Sequence, residues 1–210
     1  MLEFELVSPN KSEKLPLVIF LHGYGANRFD LISLSDLFPN CHCISLEAPI
    51  EMGYNQSCWY NIKWTIDDKI INTEEAINSK NKLVNFIEND LDKLGIAFIK
   101  ENITLFGFSQ GGIMSYAVAS ELAYIHKVFA ISSYFDKNIA DINGLNNKEL
   151  SIFACHGAKD IVIPIEEVRN SQDIISAYKL KNYKYIEHSE GHWIPQNIIN
   201  EIIEWNDETN

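Results

Sequence analysis

The apolar positions of this chain fall into short blocks separated by polar and turn-forming residues. FELV (4–7), LVIFL (17–21), CISL (43–46), ITLFG (103–107), VFAIS (128–132), SIFAC (151–155) and YKYIEH (183–188) read as strands. Several are continuous apolar runs rather than alternating ones, the pattern of parallel strands covered on both faces. Between them lie stretches of helical period. Residues 73–94 open with Thr73 as the expected N-cap and with Glu74 and Glu75 in the first turn. They then set Ala76, Leu83, Phe86, Ile87 and Leu94 near one face before Gly95. Similar patterns cover 110–123, 165–180 and 195–205. Strand and helix alternating along the chain predict βαβ units in one α/β domain over residues 1–210, its mostly parallel central sheet flanked by helices on both faces. Right-handed crossovers gather the loops that follow the strand C-termini on one edge, where open α/β sheets bind ligands.

Composition narrows the partners. At 210 residues and 46% hydrophobic, the chain can bury a sizeable core and still carry a cleft. A formal charge of −12 disfavours nucleic acid and anionic lipid surfaces. The first ten residues, MLEFELVSPN, are acidic where a signal peptide would be basic, and the longest apolar run, LPLVIFL at 15–21, is far short of the ~20 residues that span a bilayer. A soluble, cytoplasmic protein is expected, with no nucleic-acid partner and no integral membrane association. Cys41, Cys43, Cys58 and Cys155 make one CxC and no CxxC pair, so free thiols and no metal site are expected.

Candidate chemistry sits in LFGFSQGGIMSY, residues 105–116. Gly107-Phe108-Ser109-Gln110-Gly111 lies between a strand and a helix, the context in which a G-x-S-x-G turn lifts a serine hydroxyl off the sheet edge. The helix start also offers free backbone N–H groups carrying about half a positive charge. By itself the pentapeptide is only moderately specific and is also compatible with a plain glycine-bearing turn. A nucleophilic serine needs an imidazole to take its proton and a carboxylate to hold that imidazole. In α/β-hydrolases these follow in the order Ser, Asp/Glu, His, each on a loop at a strand end. His192, in EHSEGHWIP after the last strand, meets that requirement; its rival His188 ends the strand itself and lacks the adjacent glycine. His22 and His156 precede the required position and suit structural hydrogen bonding, while His42 and His126 have no site context. Asp160, in HGAKDIVIP, is the preferred acid, with Asp136 in a polar turn one strand earlier as the alternative. Two N–H donors are needed for an oxyanion: that of Gln110, and that of Tyr24 in the glycine-bearing HGYG loop.

Taken together, HGYGANRFD (22–30), MG (52–53), WYNI (59–62), GFSQGG (107–112), HGAKDIVIP (156–164) and GHWI (191–194) resemble the phospholipase/carboxylesterase family, which holds bacterial carboxylesterases and acyl-protein thioesterases. The resemblance spans nearly the whole chain. It implies an α/β-hydrolase fold, a triad of Ser109, Asp160 and His192, oxyanion donors at Tyr24 and Gln110, and no metal or organic cofactor. Two departures stand out: relatives often carry leucine where Tyr24 stands, and YNQSC (54–58) lacks an arginine often found there. Residues 47–71 form an insertion in which Met52, Tyr54, Trp59, Tyr60 and Trp64 either line an acyl groove or pack as satellite core, with Met52, Trp59 and Tyr60 chosen as substrate-binding and Trp59 favoured as a wall. The expected reaction is hydrolysis of short- to medium-chain carboxylic esters. Lysophospholipase or acyl-protein thioesterase is the alternative, so the substrate classes are small-molecule esters or thioesters, lysolipids and acylated proteins. A peptidase and a non-catalytic binding module of the same fold are further alternatives. Relatives of this kind often pair into homodimers.

Overall fold

The computed structural model describes residues 1–11, 13–65, 69–146, 149–178 and 180–209. Each of the seven apolar blocks marks one strand of its main sheet, with Ser132 of VFAIS lying just past its strand: β1 (Phe4–Val7), β2 (Leu15–Leu21), β3 (His42–Leu46), β8 (Phe98–Phe108), β9 (Ile125–Ile131), β10 (Ser151–Gly157) and β11 (Asn182–His188). The spatial order is β1-β3-β2-β8-β9-β10-β11. Only β1 runs antiparallel to its neighbour; the other pairings are parallel. The alternation of side chains along a strand divides the core in two. Leu17, Ile19 and Leu21 of β2 face one apolar cluster, together with Ala76 and Leu83 of α1 (Thr73–Asn85), Ile113, Met114 and Ala117 of α2 (Gln110–Glu121), and Val168 and Ile175 of α3 (Ile165–Ser176). Val18 and Phe20 face the other, closed by Ile198, Ile202 and Trp205 of α4 (Gln196–Glu208). Helices therefore flank both faces. Helix α2 is buried along nearly its whole length, as a helix that is apolar on all sides must be.

Three details differ from the sequence reading. Asn72, not Thr73, caps α1, its side chain accepting from the Glu75 N–H at 3.2 Å. The α-helix stops at Asn85 and the chain continues through a wide turn over Phe86–Asp90 and a tight one over Leu91–Leu94. That change of pitch lets Phe86, Ile87 and Leu91 all face inward before Gly95 reverses the chain at φ 71°. The insertion at 47–71, where the sequence reading placed no strand, folds as two hairpins, β4 (Ile50–Gly53) with β5 (Gln56–Cys58) and β6 (Ile62–Trp64) with β7 (Lys69–Ile71). Residues 66–68 of that insertion lie outside the described residues, as does residue 179 near the end of the expected 165–180 helix.

Register fixes where the chemistry collects. Leu21 pairs with Gly107, Phe108 and Cys155 both pair with Ile131, and Gly157 pairs with His188. The C-terminal ends of β2, β8, β10 and β11 thus lie on one edge, and the loops that leave them carry HGYG, Ser109, Asp160 and His192.

Candidate active site

Ser109 follows the last residue of β8 and precedes the first of α2, with φ 52° and ψ −118°. A non-glycine residue with this backbone is strained, and the strain is held by close packing on both sides. The Ser109 N–H donates to the Ile131 carbonyl at 2.9 Å. A Cβ at Gly107 would collide with the backbone of Gly111 and stand 2.5 Å from the Gly112 nitrogen. One at Gly111 would collide with the Leu21 carbonyl and stand 2.7 Å from the His22 oxygen. Glycine at both flanks is therefore what lets the helix start press against two strands.

His192 reaches the serine from the loop after β11. Its Nε2 stands 2.9 Å from Ser109 Oγ, and its Nδ1 stands 2.6 Å from Asp160 Oδ2. Asp160 Oδ1 accepts from the Val162 and Ile163 N–H groups at 2.8 and 2.9 Å, so both oxygens of this fully buried carboxylate are hydrogen-bonded. Burial alone would raise the Asp160 pKa, but the hydrogen bonds from His192 and the two backbone N–H groups outweigh it and hold the carboxyl below its ordinary value. With Nδ1 donating to Asp160, Nε2 is the nitrogen left to accept from the serine hydroxyl. Phe108 lays its ring against the imidazole, centroids 5.0 Å apart. The same ring packs on the apolar cluster of Val18, Phe20 and Phe106 and so braces His192 from that side.

The other candidates sort by their partners. Asp136 Oδ1 accepts from the Asn138 N–H and side-chain amide, both at 2.9 Å, closing its own polar turn. His188 is buried at the end of β11. His156 donates from Nε2 to the Ile163 carbonyl at 2.9 Å, and burial lowers its pKa. His42 is a satisfied buried residue, hydrogen-bonded between Ser8 Oγ and the Ala97 carbonyl. All four cysteines are free, and burial pushes the Cys58 thiol up to about 11 and the Cys155 thiol up to about 12. Neither is a nucleophile near neutral pH. Among the described residues, no group of three or more His, Cys, Asp or Glu side chains could hold a metal, and no helix is long and apolar enough to cross a membrane.

A cleft of about 300 Å³ opens beside Ser109 and His192. Tyr24, Gln110 and Phe108 border it, and Tyr60, Ile62, Trp64, Ile71, Ile113 and Tyr134 supply much of its wall. Gln110 is the first residue of α2, and among the described residues neither its N–H nor that of Tyr24 has a partner within the protein. Of the three residues chosen from sequence as substrate-binding, Tyr60 lines the cleft and two do not. Met52 sits on the outer hairpin β4–β5, more than a third exposed and away from the cleft. Trp59 is fully buried and serves as a brace: its indole N–H donates to the His22 carbonyl at 2.9 Å, and its backbone N–H donates to Gln110 Oε1 at 2.8 Å. Tyr54 is fully exposed at a hairpin tip.

Sequence reasoning missed the side chain of Gln110, which also donates from Nε2 to the Tyr60 carbonyl at 2.7 Å. The available signal was a long amide at the start of a helix otherwise too apolar to tolerate an unpaired one. It also missed Tyr134, which comes from the loop after β9, just past Ser132 at φ 49°. No local signal marks that residue, because only strand pairing brings the loop to the cleft.

A mostly parallel sheet with helices on both faces, carrying a strained serine in hydrogen-bond contact with a histidine and a buried carboxylate, defines the α/β-hydrolase class. The solved carboxylesterase of Bacillus cereus superposes with a TM-score of 0.84 at 16% identity, covering 100% of this chain and 95% of that one. Acyl-protein thioesterase 2 of Zea mays superposes with a TM-score of 0.74 at 19% identity, covering 100% and 99%. At these identities the likeness shows the fold alone. Acyl-protein thioesterase 1 of Kluyveromyces lactis is 30% identical over 165 residues, covering 73% of this chain and 70% of the relative. Residues 2–209 match the phospholipase/carboxylesterase family. The chain belongs to that family and is a serine hydrolase.

Proposed function

We propose that the chain hydrolyses short- to medium-chain carboxylic esters through an acyl-enzyme on Ser109. The observation that carries this reading is the continuous contact from Ser109 Oγ to His192 Nε2 and from His192 Nδ1 to Asp160, 2.9 and 2.6 Å, at the side of an apolar cleft. His192 Nε2 takes the hydroxyl proton as Ser109 Oγ bonds to the carbonyl carbon, and the carbonyl electron pair moves onto oxygen. The N–H groups of Gln110 and Tyr24 hold that oxyanion, in a site where such donors reduce the barrier most. Collapse breaks the bond to the leaving group, which departs with the proton from His192. A water molecule then gives a proton to His192 while its oxygen bonds to the acyl carbon; collapse of the second oxyanion frees the acid and returns the proton to Ser109. Asp160 holds the imidazole and stabilises its charged form without taking the proton.

A cleft of about 300 Å³ is at the small end for ligand sites, which supports the short to medium acyl length. A second reading, hydrolysis of acyl groups from thioesters on proteins, is favoured by the relative named acyl-protein thioesterase that is 30% identical. Nitrophenyl esters of increasing chain length, with an S-acylated peptide alongside, separate the two. In either case Ser109→Ala is expected to lower kcat by about 10⁴- to 10⁶-fold with folding unchanged. Turnover close to that of the unaltered protein would remove Ser109 from the mechanism.

A further inference from the structure

The peptide group between Gly23 and Tyr24 has two ends. In the reading above, on which this inference rests, its N–H is the second oxyanion donor. Its carbonyl is tied down twice, accepting from the Ala26 N–H at 3.2 Å and from His22 Nδ1 at 2.8 Å. The His22 ring has no freedom to do otherwise. The Ala48 N–H can only donate, and it points at His22 Nε2 at 3.2 Å, so Nε2 is the acceptor and the ring hydrogen lies on Nδ1. Ser57 Oγ stands 3.2 Å from the same Nε2 and gives its own hydrogen to Glu47. Arg28 in turn donates to that carboxylate from both its backbone and its guanidinium at 3.1 Å. His22 is fully buried, and burial lowers its pKa, keeping the ring neutral. The Trp59 indole fixes the His22 carbonyl, and Gly23 lies so close to the nucleophile that an added Cβ would stand 3.4 Å from Ser109 Cβ.

We infer that His22 is a positioning residue for the oxyanion hole: by donating from Nδ1 to the Gly23 carbonyl it sets the plane of the Gly23–Tyr24 peptide and so the direction of the Tyr24 N–H. In a trans peptide the N–H and C=O point opposite ways, so a bond that orients one orients the other. The chain has no cis peptide bonds among its described residues. Polarising the carbonyl also makes the N–H a better donor. A histidine meets the local demand because it donates at one ring nitrogen while accepting the Ala48 N–H at the other.

The test pairs two substitutions in the full chain. His22→Asn sets an amide N–H near the place of Nδ1 and keeps the donor to Gly23; His22→Gln reaches toward the place of Nε2 and loses it. Removing an oxyanion donor outright lowers kcat about 10²- to 10³-fold, so misdirecting one is expected to lower kcat about 10- to 100-fold in His22→Gln. KM for nitrophenyl butyrate should stay within about twofold, and the Ki of butylboronic acid, which forms a tetrahedral adduct on serine, should rise by the same factor as kcat falls. His22→Asn should recover most of both losses. Equal loss in the two variants, or a kcat loss with an unchanged boronate Ki, overturns the inference. Should His22→Gln not fold, the unaltered protein labelled with ¹⁵N gives the answer. Boronate should move the Tyr24 amide proton downfield, and the His22 ring should show Nδ1 protonated; a stationary amide or the opposite tautomer overturns the inference. Ser109→Ala separates the two readings: if it is inactive while the His22 results fail, only the positioning role falls; if it stays active, both fall.

Discussion

Replacing Gln110 by alanine separates what its backbone does from what its side chain does. The backbone N–H, the proposed oxyanion donor, is retained. The side chain, 2% exposed, satisfies two buried backbone groups on the segment that joins β5 to β6, accepting from the Trp59 N–H at 2.8 Å and donating to the Tyr60 carbonyl at 2.7 Å. Its removal strands both, at about 1–3 kcal/mol for each buried unsatisfied group, so a loss on the order of 3 kcal/mol is expected. At about 2–4 °C per kcal/mol for a chain of this size, the melting temperature should fall by roughly 6–12 °C. Trp59 and Tyr60 lose their anchor, and since Tyr60 lines the cleft, KM for a nitrophenyl ester should rise several-fold while kcat falls much less than in Ser109→Ala. Gln110→Glu should be no better, because a carboxylate oxygen would face the Tyr60 carbonyl where the amide donated. Thermal denaturation and steady-state kinetics on both variants measure these effects. A melting temperature within 2 °C of the unaltered protein, or a kcat loss as large as that of Ser109→Ala with KM unchanged, would refute the reasoning.

Two further perturbations probe the imidazole from its other sides. Phe108→Ala removes the ring that meets His192 at a tilt, centroids 5.0 Å apart; aromatic contacts of this kind contribute about 0.5–1.5 kcal/mol, so kcat should fall roughly 2- to 10-fold with KM little changed, and an unaltered kcat would deny the bracing role. Asp160→Asn should lower kcat on the order of 10⁴-fold at neutral pH, since an amide favours the wrong imidazole tautomer. The same variant changes acid stability with a definite sign. The Asp160 pKa is lower in the folded protein, so the stabilisation is complete above the unfolded value of ~3.9 and is lost as pH falls through the folded one. Melting temperature should therefore drop more steeply below about pH 4 in the unaltered protein than in Asp160→Asn; parallel curves would contradict the lowered pKa.

What could be read along the chain is what local pattern encodes. A strand buried on both faces must be apolar at consecutive positions, so LVIFL and SIFAC announce themselves, and the loops after them inherit a place on the sheet edge from topology alone. The meeting of Ser109, Asp160 and His192 at one edge was legible for that reason, each residue being tied to a strand end rather than to a contact. The walls of the cleft were not, because they depend on which face an insertion turns inward. Within 47–71, Met52 and Tyr60 look alike as apolar residues near the site, yet β4 faces Met52 away while Tyr60 enters the cleft. Trp59 was misread for a related reason. An aromatic ring beside a catalytic edge suggests a surface for substrate, but an indole also carries one N–H that must find an acceptor once buried. Here the acceptor is the His22 carbonyl, at the root of the loop proposed to supply an oxyanion donor. The same ring therefore shapes the site from behind: its hydrogen bond, invisible in any spacing of residues, joins the insertion to the residue after β2, and the Trp59 backbone N–H joins it through Gln110 to α2.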